Sequence, residues 1–206
     1  MSKLFVYACS FGKYGTTATD NHVWTDEKSF GDIIAKRKNL QLVNYSQPGA
    51  SNQIIFKNFI NTMNEITEDD ITIVQWSHIC RYTTTDNLTI MSHSVDSSDK
   101  EFAKLAKVYY QHFYDEMLNL STIVGLTKYI KSVTKGKVYV SCVEYPDVLK
   151  SANERLYKDA EFDAFDGKGL HGYLSSFNNR DVYFSCMHPS ELGHIHVAES
   201  YIKIMD

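Results

Sequence analysis

Two residues far apart in the chain have the types that acyl transfer requires: a serine at position 10 and a histidine at position 188. A serine hydroxyl is a weak nucleophile until an imidazole accepts its proton. Ser10 closes the continuous apolar run of residues 4–8 and precedes Phe11-Gly12, so it sits where a buried strand gives way to a turn. His188 is followed by Pro189 and a helical pattern, which can fix its backbone. Acyl transfer also needs donors for a developing oxyanion. Gly49, in the sharp loop Ser46-Gln47-Pro48-Gly49-Ala50, has no Cβ to hold a substrate away from its amide. Asn52 or Ser77 can add a side-chain hydrogen bond to the same oxygen. His78 ends the next apolar run as a site or loop residue, and Arg81 with Tyr82 suits either an anionic or sugar group or a structural salt bridge.

These residues act together only if the elements between them bring them to one place. Residues 3–8, 40–45, 71–76 and 137–142 read as strands rich in β-formers, and 181–184 as a short fifth. Helices are predicted over 24–38, with Thr25 as N-cap, after Ser51 or Asn52, and from 98 to about 120, continuing to Ile130 with a break near Gly125. A further helix spans 153–160, and the last opens at His188-Pro189 with Ile195, Ala198, Ile202 and Met205 as its buried stripe. Strands alternating with helices imply right-handed crossovers and a mostly parallel, doubly wound sheet. The carboxyl ends of its strands share one edge, so Ser10, Gly49, Asn52, Ser77, His78 and His188 should converge there. The expected organisation is one domain over 1–206, with irregular excursions at about 82–98 and 143–180.

Composition limits the function classes. The chain has 206 residues, 43% hydrophobic and 22% charged, which suits a single well-packed soluble domain. A net charge of −4 without a basic stripe argues against nucleic acid as a partner. No apolar run approaches the length that spans a membrane, and the N-terminus lacks the pattern of a signal peptide, so synthesis in a cytoplasm and no membrane partner are expected. The four cysteines form no Cys-x-x-Cys pair and read as reduced, buried thiols. Cys9, Cys186, His188 and His78 could share one edge, but without paired ligand spacing no metal and no cofactor are expected.

Four stretches together resemble the SGNH (GDSL-type) hydrolases, especially divergent members found in bacteriophage genomes. FVYACSFGKYG resembles the first motif, with Ser10 at the nucleophile position and Cys9 where Asp is usual. NYSQPGASN resembles the second, with Gly49 at the oxyanion-hole glycine, and TIVQWSHICRY lies where the third belongs. MHPSELGHIHVAE resembles the last, with His188 at the catalytic histidine and Gly193-His194 at the Gly-His that follows. Ser77, His78 or Asn52 must replace the third-motif asparagine, and Ser185 stands where the acid that orients the histidine is usual. A backbone carbonyl or Asp181 is the alternative orienter. The resemblance implies a flavodoxin-like three-layer α/β/α sandwich with a mostly parallel, five-stranded sheet. It implies a serine esterase that deacylates a small-molecule or carbohydrate ester, such as a cell-envelope polymer, in a host cytoplasm or a virion if phage-encoded. The alternative is a catalytically degenerate binding or virion structural protein on the same fold, which Cys9 and Ser185 would favour.

Overall fold

A computed structural model describes residues 1–15, 23–84, 88–144, 146–183 and 187–206. Its centre is a sheet of four parallel strands in the order β4-β1-β5-β8: β1 is Lys3–Tyr7, β4 Gln41–Asn44, β5 Ile71–Trp76 and β8 Lys137–Cys142. Leu4, Phe5, Val6 and Tyr7 of β1 are fully buried, which is why this strand reads as an unbroken apolar run rather than an alternation.

Successive residues of each strand face opposite sides, and the contacts assign the helices to those sides. Val6 lies against Gly31 of α1 (Phe30–Lys38), while Tyr7 donates to or accepts from Thr62 of α2 (Asn52–Thr62) at 2.8 Å. Ser141 of β8 bonds the Tyr201 hydroxyl of α7 (Glu191–Met205) at 2.6 Å. Trp76 of β5 donates its indole N–H to Thr127 of α4 (Glu116–Val133) at 2.9 Å. Helices therefore cover both faces, with α1 packed on α7 and α4 packed on α5 (Pro146–Asp159). The remaining helices are α3 (Lys100–His112) and α6 (Gly169–Ser175).

Several boundaries differ from the sequence expectation. The first helix starts at Phe30 because Ser29 caps it, accepting the Asp32 N–H at 3.2 Å. Trp24–Thr25 (β3) instead pairs antiparallel with Tyr14–Gly15 (β2). The long helix breaks after His112, not near Gly125, because Asp115 caps a new helix by accepting the Leu118 N–H at 2.8 Å. The excursion after β5 folds into a two-stranded hairpin, β6 (Tyr82–Thr83) and β7 (Thr89–Ile90). The fifth strand expected over 181–184 is replaced by a 3-10 turn, Arg180–Val182, and a single antiparallel bridge between Tyr183 and Pro189. Phe184 lies outside the described residues. The buried face of α7 is Gly193, His194, Val197, Ala198 and Tyr201, so the stripe is rotated from the one expected and takes His194 inside.

Candidate active site

Ser10 begins a 3-10 turn, Ser10–Gly12, three residues beyond β1. Small residues are required there: a Cβ on Gly12 would stand 2.1 Å from the Ser46 Oγ. Asn44 at the end of β4 secures the turn by donating to the Gly12 carbonyl at 2.9 Å. Ser10 is almost wholly buried and its Oγ lies 3.0 Å from His188 Nε2. His188 is held by rings on two sides. Phe11 stacks on it at 5.1 Å and Trp24 meets it edge-on, also at 5.1 Å. Ser190 ends the loop as N-cap of α7, accepting the Gly193 N–H at 3.2 Å.

Gly49 has φ +76°, and open space lies where its Cβ would be. Among the described residues neither its amide nor that of Ser10 donates a hydrogen bond within the protein. Asn52 holds backbone instead of facing a free cleft: its Oδ1 accepts the Ser77 N–H at 2.7 Å and its amide lies 3.4 Å from the His78 carbonyl. Ser77 is fully buried, and its hydroxyl accepts from Arg81 Nη1 at 3.0 Å. Arg81 also reaches the Ala50 carbonyl, so it ties the Gly49 loop to the end of β5.

A second polar group adjoins the first. His78 Nδ1 is 3.1 Å from Glu144 Oε2, and the Glu144 side chain is only 8% exposed. The His78 ring stacks on His171 at 5.4 Å, and His171 Nδ1 is 3.2 Å from the Tyr183 hydroxyl. Burial, reinforced by the neighbouring His78, pushes His171 down to about 4. Phe11 touches all three imidazoles, meeting His171 at 5.1 Å and His78 at 6.3 Å. Glu144 and His171 were not singled out by sequence, because both fall in the stretch read as irregular.

Asp181 does not fill the orienting position. It lies exposed on its 3-10 turn, where its backbone carbonyl accepts the Ser190 hydroxyl, and no ion pair joins it to His188 among the described residues. Ser185 and Cys186 lie outside the described residues. Among the described residues no group of three or more His, Cys, Asp or Glu is arranged around a common metal position.

No protein-family profile matches this sequence, and no curated protein matches it. Solved structures do match the fold. A member of the lipolytic G-D-S-L family from Veillonella parvula aligns over 98% of this chain and 97% of its own, with 14% identity and a TM-score of 0.60. The esterase EstA from a Pseudoalteromonas species aligns over 100% and 97%, with 8% identity and a TM-score of 0.56. An acetyl xylan esterase from Butyrivibrio proteoclasticus aligns over 99% of this chain and 63% of its own, with 12% identity and a TM-score of 0.54. The α/β architecture with its parallel central sheet is thus that of the GDSL (SGNH) hydrolases. At these identities the likeness is one of fold.

Proposed function

We propose that the protein is a serine esterase or acyl hydrolase acting through Ser10 and His188. The observation that carries this reading is the 3.0 Å approach of His188 Nε2 to Ser10 Oγ at the carboxyl edge of the sheet. In this reading His188 takes the hydroxyl proton as Ser10 attacks the ester carbonyl, then returns it to the departing alcohol. Water activated by the same imidazole releases the acyl group from the serine. The amides of Ser10 and Gly49, both without an internal acceptor among the described residues, would hold the oxyanion. The substrate we propose is an acylated carbohydrate, such as a cell-envelope polymer. The open rim beside Gly49 and the likeness of fold to an acetyl xylan esterase support that choice. Nucleic acid and membrane are not proposed as partners, and the helices described include none long and apolar enough to cross a membrane.

The reading is tested by aryl-acetate hydrolysis and by labelling with a fluorophosphonate probe. Wild type should react with both, and Ser10→Ala should lose labelling and fall by about a thousand-fold or more in turnover. Equal rates in the two proteins would sink the nucleophile assignment and leave a non-catalytic binding module on a hydrolase fold.

A further inference from the structure

Parallel register places a carboxylate and an imidazole side by side at the edge of the proposed cleft. Trp76 of β5 is paired with Cys142 of β8. His78 and Glu144 each follow two residues later, so the ladder, extended past its last pair, sets them opposite each other. The same logic joins them to the nucleophile, since Tyr7 is paired with Val74 and Ser10 therefore leaves the sheet beside Ser77. Glu144 is fixed from behind: Gly169, at φ +65°, packs so closely that a Cβ there would lie 1.9 Å from the Glu144 carbonyl. His78 is fixed by Glu144 on one nitrogen and by the stacked His171 on its face, yet keeps 23% of its side chain exposed.

An ionised carboxylate only accepts hydrogen bonds, so the Glu144 contact puts the proton of neutral His78 on Nδ1. That leaves a lone pair on Nε2, for which the described residues supply no donor. An acceptor held rigidly at the rim of an ester site calls for a hydroxyl on the substrate. A site built around such a bond discriminates strongly against a substrate that lacks the hydroxyl, because the acceptor is then left unpaired. We propose that Glu144 and His78 form an acid–imidazole pair on the rim of the Ser10–His188 cleft, and that His78 Nε2 accepts a hydrogen bond from a substrate hydroxyl, making the site selective for esters of sugars and polyols. This rests on the serine-esterase reading above, and gives the carbohydrate preference a named residue.

The experiment compares kcat/KM for glycerol monoacetate with that for ethyl acetate, which carries the same acyl group on an alcohol without a free hydroxyl. Wild type should favour the glycerol ester by about ten-fold or more. His78→Phe keeps a ring for stacking but removes the acceptor, and should bring the ratio close to one. Glu144→Gln should do the same for a different reason. Its amide can donate to Nδ1, which moves the imidazole proton to Nε2 and turns the acceptor into a donor. A purely structural role for either residue would lower both rates and leave the ratio alone. Fluorophosphonate labelling of each variant reports whether the nucleophile is still in place. A labelled wild type with no preference, or a preference that both variants retain, overturns this inference and spares the esterase reading. A wild type that neither labels nor hydrolyses either ester overturns both.

Discussion

His171 and His194 are imidazoles that the fold keeps from charging. Burial is the main cause for each. It pushes His171 down to about 4, and it pushes His194 to about 3 even though the Lys13 backbone carbonyl works the other way. His194 Nδ1 accepts the Phe30 N–H at 3.2 Å inside the α1–α7 interface, a bond that requires a lone pair on that nitrogen. In the unfolded chain both rings titrate near pH 6.5. Below that pH the unfolded state binds protons that the folded state refuses, so stability is fully present above it and falls as the medium is acidified. Each group contributes a slope of at most about 1.4 kcal/mol per pH unit until its folded value is reached. Urea midpoints should therefore decline from about pH 6.5 downward. His194→Asn, which can still accept from Phe30, should flatten that decline. An unchanged slope would show that the ring is not the group responsible.

At the scale of elements, the tight junctions are carried by residues without side chains. Gly169 opens α6 in a left-handed conformation against the Glu144 carbonyl, so Gly169→Ala meets both backbone strain and a direct clash. We expect a loss of about 1–3 kcal/mol in thermal or urea unfolding from the strain. The remaining activity should show a reduced preference for hydroxylated esters, because the loop bearing Glu144 must shift. The four strands of the central sheet and the Ser10 turn were legible in sequence, since β1, β5 and β8 are short apolar runs stopped by small or polar residues, whereas the strand expected over 181–184 was not realised. The approach of Ser10 and His188 was legible for the same reason: a parallel sheet delivers strand ends to one edge. The pairing of Glu144 with His78 was not. It is set by the register of β8 on β5, which no local spacing encodes. The start of α1 and the break between α3 and α4 were misplaced because Ser29 and Asp115 cap more effectively than the surrounding apolar periodicity suggests.

Over the whole molecule, the contact that defines the candidate site joins residues 178 positions apart. Each partner is anchored in the core rather than on an independent flap. Ser10 follows the fully buried β1, and α7 beyond His188 is tied to the sheet by the Tyr201–Ser141 bond and stacks on Phe30 through Tyr201 at 5.5 Å. The site should therefore be lost only when the domain is lost. In a urea titration, fluorophosphonate labelling and near-UV circular dichroism should decline together as one transition. Labelling that disappears well before the tertiary signal would show that the segment around His188 opens on its own.

The same separation has a consequence during synthesis. Ribosomes extend a chain at about 5–20 residues per second, so Ser10 is made roughly ten seconds or more before the imidazole that would deprotonate it. Throughout that interval its hydroxyl is no more reactive than any other serine's. Under the proposed reading, hydrolytic competence would thus wait until synthesis has passed residue 188, and a polypeptide terminated before that histidine would carry Ser10 without the base proposed to activate it.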